Sequence, residues 1–250
     1  MRYSPIIKMI SHSVTKEVIK QFGKKVRLIA LIGSGNTDDF DLLSDIDYVL
    51  VLDSFSADDL KFISSLRDEL SAKNDIPIDI KLYTVLELKA AKKYPIGVFH
   101  AWTLHMILKD RISIFYQNKI KLSPFNGDER LSAIISVNYF IDKLKKYLSI
   151  EKTYLRGKIT IPNNKEAFKV INSCCFCIAK FFLYYEGVSV FSRGEIINGI
   201  RKMKISPKIL VDLDNFRKSK KYEINRKTRN KIVEFCNLLY SRLLKEVAQQ

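Results

Sequence analysis

The first half of the chain contains both short apolar runs and apolar positions that repeat every three or four residues, whereas the second half shows mainly the second pattern. Short apolar runs bounded by glycine, proline or polar residues predict strands, and apolar positions repeated every three or four residues predict amphipathic helices. The predicted strands cover residues 26–33, 45–53, 76–84 and 112–116, and the last of these is alternatively an element that links the two halves of the chain. The predicted helices of this half cover residues 12–25, 56–75 and 85–94.

Local signals mark the ends of these helices. Gly23 is predicted to end the first helix, Ser56 to cap the second, and Pro95 to end the third. The acidic residues that follow Ser56 suit the positive end of a helix. The apolar face predicted for the second helix consists of Leu60, Ile63, Leu66 and Leu70.

Beyond residue 118 the hydrophobic residues follow mainly the helical period. The predicted helices there cover residues 129–150, 165–186, 193–203 and 226–248, and a polar connection covers residues 149–164. The pattern predicts an α+β chain, with a small mixed-sheet domain over residues 1–117 and an all-helical domain over residues 118–250. At 250 residues the chain is long enough for two modest domains.

Three aspartates interrupt the apolar pattern of two predicted strands. Side chains alternate between the two faces of a strand, so Asp45 and Asp47 share a face and the large apolar residues between and after them lie on the other. In the next strand Asp79 shares its face with Lys81. If the two strands are neighbours, the three carboxylates converge on one patch.

Converging carboxylates repel one another, which raises their pKa values and weakens the fold unless cations lie among them. Mg²⁺ meets that need, because it prefers carboxylate oxygens and leaves coordination positions for substrate phosphates. The Gly33-Ser34-Gly35 corner just upstream suits such phosphates, since glycines let the backbone approach an anion closely. Together these features predict a metal and triphosphate site, although an acidic turn without catalysis is the alternative.

The order of these features resembles the nucleotidyltransferase superfamily that includes DNA polymerase beta, the CCA-adding enzymes and the antibiotic nucleotidyltransferases. The resemblance rests on Gly33-Ser34, Asp45-Ile46-Asp47 and Asp79, and it covers roughly residues 10–90. It implies a two-Mg²⁺ enzyme that moves a nucleoside monophosphate, with AMP favoured, from a nucleoside triphosphate to an acceptor hydroxyl or phosphate.

The resemblance also assigns roles to individual residues. Asp45 and Asp47 would bind both metal ions, and Asp79 would help to bind the catalytic one. The predicted triphosphate contacts are Gly33, Ser34, Gly35 and Ser44.

A small transferase domain followed by a helical domain is similar to kanamycin nucleotidyltransferase and its relatives. In that group an acidic residue of the helical domain is the general base, and a lysine follows one turn later. Asp142 and Lys146 have that spacing here, which makes Asp142 a candidate catalytic residue. The pair also fits an ordinary surface ion pair four residues apart on a helix, and that interpretation is favoured.

The positive charge is concentrated in the second half. The net charge of the chain is +16, yet residues 1–110 hold 15 Lys and Arg against 15 Asp and Glu, and residues 111–250 hold 28 against 12. This excess argues against a cationic acceptor and predicts a polyanionic partner, with nucleic acid favoured. The basic and aromatic cluster at 216–231 is the candidate surface, and a solvated basic face is the alternative.

Cysteine usage and hydropathy indicate a cytoplasmic protein without a membrane-spanning segment. The N-terminus has no apolar stretch of the signal-peptide type, and Lys180 breaks the most apolar stretch of the chain. The four cysteines have no spacing typical of a zinc site and are predicted to be small buried apolar residues. A non-catalytic nucleic-acid-binding or antitoxin-like regulatory module is the alternative to an enzyme, and the oligomeric state stays open.

Overall fold

A computed structural model gives the fold of residues 5–37, 39–41, 43–90, 112–120, 128–149, 153–155, 158–160 and 164–247. The chain divides into two compact units, Met1–Asp128 and Glu129–Gln250. We call these the sheet unit and the helical unit. The chain is an α+β protein in which a small mixed sheet precedes a helical region, as the sequence predicts.

The sheet unit contains a four-stranded sheet of order β3-β2-β1-β4. Strand β1 is antiparallel to both of its neighbours, whereas β2 and β3 are parallel. The strands are β1 (Val26–Ile32), β2 (Ile46–Leu52), β3 (Ile78–Thr84) and β4 (Ser113–Gln117). All four predicted strands are therefore confirmed, with ends shifted by one or two residues.

Three helices accompany these strands: α1 (Pro5–Phe22), α2 (Ala57–Asn74) and α3 (Val85–Ala90). Helix α1 begins seven residues before the predicted start and ends at Phe22, directly before Gly23, whose φ is +51°. Ser56 caps α2, since its hydroxyl accepts a hydrogen bond from the Asp59 amide. The predicted end of α3 at residues 91–94 lies outside the described residues.

Each face of the sheet has its own buried core. Side chains of α1 and α2 pack on the face that carries Ile46, Tyr48 and Leu50, as the alternation of β2 predicts. Leu60, which was expected in this core, is exposed, whereas the next three residues of the predicted stripe are buried. The opposite face, which carries the aspartates at the starts of β2 and β3, holds a smaller cluster around Val49, Val51 and Tyr83.

The helical unit consists of helices and one short hairpin in its described residues. The helices are α4 (Glu129–Ser149), α5 (Asn164–Tyr185), α6 (Arg193–Lys202), α7 (Lys208–Lys218) and α8 (Arg226–Val247). Strands β5 (Thr153–Leu155) and β6 (Lys158–Thr160) pair antiparallel where a polar connection was predicted. Each strand has three residues, too few for an alternating pattern to be recognised.

Helix α5 lies at the centre of this unit and packs against the other four helices. Among the described residues, α5 is the one helix that is long enough and apolar enough to cross a membrane. Its mean hydropathy is 1.4 over Lys165–Tyr185. Because 67% of its most apolar window is buried inside the protein, the helix serves as the core of the unit.

Candidate functional site

The parallel pairing of β2 and β3 brings two of the predicted metal ligands together. Asp47 is the register partner of Asp79, and Val49 is the register partner of Lys81. Asp45 immediately precedes β2 and faces the same side as Asp47. The condition that the sequence left open, that the two strands are neighbours, is therefore met.

A lysine lies between the carboxylates. The Lys81 Nζ is 2.5 Å from Asp47 Oδ1 and 3.3 Å from Asp79 Oδ2. The exposed fractions of the side chains are 18% for Lys81, 19% for Asp47 and 48% for Asp79. The alternation of β3 predicted that Lys81 lies on the same face as Asp79, but its position between the carboxylates was not predicted.

Burial and charge act in opposite directions on this ion pair. Burial raises the pKa of Asp47, the Asp45 and Asp79 carboxylates raise it further, and Lys81 opposes both effects. Burial alone would lower the pKa of Lys81, but the Asp47 and Asp79 carboxylates outweigh it and hold that pKa above its ordinary value. Asp47 and Asp79 thus share the ammonium of Lys81, and the nearby Asp45 carboxylate adds to the negative charge around Asp47.

Gly33 is required by the close approach of Asp47. Strand β1 ends at Ile32, which is paired with Asp47, and Gly33 follows with a φ of +71°. A Cβ atom at residue 33 would lie 2.6 Å from Asp47 Oδ2. This glycine therefore makes room for the carboxylate, a role that the sequence alone did not distinguish from phosphate binding.

The hydroxyl of Ser34 ties the corner to the aspartate strand. Ser34 Oγ donates a long hydrogen bond of 3.4 Å to the carbonyl of Asp45, and its own carbonyl accepts one from the Thr37 amide. Residues Gly33–Asn36 form one turn of 3₁₀ helix. Gly35 is buried in that turn, and a Cβ atom there would lie 3.3 Å from a methyl group of Leu31.

Ser44 closes the loop that leads into β2. Its hydroxyl accepts a hydrogen bond from the Asp41 amide at 3.0 Å and donates one to Asp41 Oδ1 at 3.1 Å. These bonds hold the residues immediately before Asp45 in a turn. The predicted contacts of Ser44 and Gly35 with a triphosphate stay predictions, because both residues already have a structural role.

The donor chemistry of the three aspartates fits a hard divalent cation, since carboxylate oxygens in excess are what such a cation requires. The three carboxylates, however, do not converge on one point. In the described part of the chain, no group of three or more His, Cys, Asp or Glu side chains is close enough to hold a metal ion. Asp47 faces Lys81 instead, so a cation that engaged Asp47 would first have to replace that ammonium.

An open groove of about 530 Å³ adjoins Asp79. It lies between the C-terminal half of α2 and the start of β3, and its lining includes Arg67 and Ser71. Among the described strands β3 lies at an edge of the sheet, and of the three aspartates Asp79 is the one that lines the groove.

Asp142, the candidate general base, is an exposed residue of α4. Its carboxylate lies 3.6 Å from the Lys145 Nζ, three residues later on the same helix. This is the geometry of an ordinary surface ion pair, the kind of contact that the sequence favoured. The sequence named Lys146 as the partner, whereas this pair is with Lys145.

Part of the basic cluster at 216–231 belongs to the packing of the helical unit. Arg217 is buried and lies 3.4 Å from Asp214, and Lys218 lies 2.6 Å from the same carboxylate. The ring of Tyr222 packs on Phe168 at a centroid distance of 5.5 Å. The side chains of the cluster that remain as an exposed basic surface are Lys220, Lys221, Arg226, Lys227 and Arg229.

The cysteines are reduced and belong to the core, as predicted. Cys174, Cys175 and Cys236 are buried, and Cys177 is half-buried. Burial raises the pKa of Cys174 to about 12, and a hydrogen bond with Cys236 together with burial raises that of Cys175. Thiols held in the neutral form are poor nucleophiles, so these residues are not candidates for catalysis.

No protein-family model matches the chain, and no curated protein matches it. Among solved structures, the chain is similar to a nucleotidyltransferase-like protein from Exiguobacterium sibiricum 255-15, with 10% sequence identity and a TM-score of 0.34. The similarity covers 96% of this chain and 75% of that one. A TM-score this low says nothing about the residues or the chemistry of the present site.

Proposed function

We propose that the protein is a metal-dependent nucleotidyltransferase, which moves a nucleoside monophosphate, with AMP favoured, from a nucleoside triphosphate to an acceptor hydroxyl or phosphate. The observation that carries the proposal is the pairing of Asp47 with Asp79 on parallel strands, beside Asp45 and next to the Gly33-Ser34 corner. Neighbouring carboxylates next to a glycine corner support a site that takes both a cation and a phosphate chain.

In this proposal the carboxylates and the Gly33-Ser34 corner have different roles. Asp45, Asp47 and Asp79 would hold Mg²⁺ once Lys81 has left Asp47 and the carboxylates have drawn together, and the ion would supply positive charge to the transferred phosphate and lower the pKa of the acceptor hydroxyl. The amides of the turn that starts at Gly33 would bind the triphosphate tail and orient it. The groove beside Asp79 would leave space for the nucleoside or the acceptor.

The acceptor would be selected by the helical unit. The exposed basic side chains that follow α7 favour a polyanion, so a nucleic acid is the proposed partner and Asp142 a secondary candidate for a base. A cytoplasmic location stays a prediction.

One observation favours a second candidate function. Lys81 already places a positive charge between Asp47 and Asp79, so the carboxylates do not require a metal for the fold to persist. A non-catalytic nucleic-acid-binding or regulatory module on the same fold would look the same at this point.

Incorporation of labelled nucleotide distinguishes the two candidates. The protein is incubated with Mg²⁺ and each α-labelled nucleoside triphosphate in turn, together with separated RNA, protein and small-molecule fractions of a cell extract. The enzyme proposal predicts Mg²⁺-dependent label in one fraction, strongest with ATP. Absence of label in every fraction, with salt-sensitive binding to nucleic acid retained, supports the non-catalytic module.

A further inference from the structure

We infer that Lys81 is a built-in cation that competes with a divalent metal ion for Asp47 and Asp79. The inference rests on the proposed function in one respect, because it takes the carboxylates to be the metal site. It goes further by naming a residue that controls how readily the metal binds.

The position of Lys81 is the first argument. Its ammonium contacts both carboxylates, at 2.5 Å and 3.3 Å, and it reaches them from the same strand as Asp79. The side chain is largely buried, and a lysine is rarely buried unless it is paired. The strand register therefore places the ammonium between the oxygens that a metal ion would use.

The balance of charge is the second argument. Asp47 is mostly buried, and without a cation beside it a buried carboxylate would destabilise the fold. Lys81 provides that cation in the metal-free protein. An ammonium and a divalent ion next to the same carboxylate repel each other, so metal binding requires Lys81 to leave Asp47. Its flexible four-carbon stem allows such a movement.

Metal affinity tests this competition directly. Titration calorimetry with Mg²⁺ alone compares the parent protein with the Lys81→Met and Lys81→Gln variants. The control is Lys61→Met, since Lys61 pairs with Asp58 at 3.0 Å on the exposed surface of α2. We expect the Lys81 variants to bind Mg²⁺ at least about tenfold more tightly, and the control to match the parent.

A measurement on the parent protein covers the case in which the Lys81 variants fail to fold. Lysine side chains labelled with ¹⁵N give NMR signals from ammonium groups, and the Lys81 signal reports its ion pair. We expect addition of Mg²⁺ to shift this signal and to leave that of Lys61 unchanged. An unshifted Lys81 signal at saturating Mg²⁺ overturns the inference.

The outcomes separate this inference from the proposed function. If the parent and the Lys81 variants bind Mg²⁺ with equal affinity, the competition is refuted while the metal site stands. If neither the parent nor a folded variant binds Mg²⁺, the metal site and the competition both fall.

Discussion

Asp47 of the sheet unit and Asp214 of the helical unit are both largely buried, yet their charged neighbours are opposite in balance. Asp47 shares the ammonium of Lys81 with Asp79, and the Asp45 carboxylate lies near Asp47 as well. Asp214 alone faces three cations, Lys218 at 2.6 Å, Arg217 at 3.4 Å and Arg193 at 4.0 Å.

This difference indicates which cluster serves the fold and which can take a ligand. Three cations of its own unit more than balance the charge of Asp214. The Asp214 cluster therefore needs no further cation. Asp47 has two further carboxylates beside it, so its surroundings favour an added cation more than those of Asp214 do. The predictions below test this contrast, starting with the largest expected effect.

Removing the charge of Asp214 should weaken the fold most. Asp214→Asn leaves Arg217, of which 6% of the side chain is exposed, without the carboxylate it packs against. We expect the free energy of unfolding to fall by about 3–5 kcal/mol, as for other broken buried ion pairs. Urea denaturation measures the loss, and Asp142→Asn, at an exposed pair, is the control that should stay within about 0.5 kcal/mol of the parent. A loss as small as the control's would refute a structural role for the Asp214 cluster.

Filling the space next to Asp47 should have the next largest effect. Gly33→Ala adds a Cβ atom 2.6 Å from Asp47 Oδ2 at a φ of +71°, which combines backbone strain with a displaced carboxylate. The strain alone costs about 1–3 kcal/mol. Gly23→Ala is the matched control, because its φ is +51° and nothing lies within 4 Å of the added Cβ. Equal losses in thermal denaturation would show that Asp47 does not depend on this glycine.

Neutralising Asp45 and neutralising Asp47 should change stability by different amounts. Asp45→Asn removes a repelling charge from the neighbourhood of Asp47, so it should cost less stability without metal than Asp47→Asn. Asp47→Asn takes the closest partner from Lys81 and should lower the free energy of unfolding by about 1–3 kcal/mol. Urea denaturation in a chelating buffer measures both. The reverse order would mean that Lys81 is not held by Asp47.

The exposed basic surface should show the smallest effect, confined to binding. Replacing Lys220, Lys221 and Arg226 with Gln should flatten the salt dependence of duplex DNA binding by about 0.9 for each side chain that contacts a phosphate. The control replaces Lys16, Lys20 and Lys73 of the sheet unit, all exposed. A slope that is the same in both variants and in the parent would identify the surface as a solvated face.

The sequence was most informative where one local pattern decided the structure. The cap at Ser56, the apolar runs of β2 and β3, and the face that Asp79 shares with Lys81 all follow from nearest neighbours along the chain. The carboxylate cluster could be predicted for this reason, since adjacency of two strands was the one assumption needed.

Pairings that combine charge with burial could not be predicted in this way. Helix α7 was missed because its buried face includes Asp214 and Arg217, which interrupt the apolar period. The sequence placed Lys81 on the face of Asp79 and assigned it no role, and only its distance from Asp47 shows that the two form an ion pair. Both cases depend on contacts between side chains, which hydrophobic periodicity does not contain.

Magnesium-dependent nucleotide transfer by the parent protein and by Asp45→Asn is the most direct test of the central claim. Asp58→Asn, at an exposed pair on α2, serves as the control. Transfer of label from ATP should require Mg²⁺, persist in the control, and fall at least about a hundredfold in Asp45→Asn, as when a group that stabilises the transition state is removed. Transfer at the parental rate by a folded Asp45→Asn, or no transfer by the parent with any nucleoside triphosphate and Mg²⁺, would contradict the account.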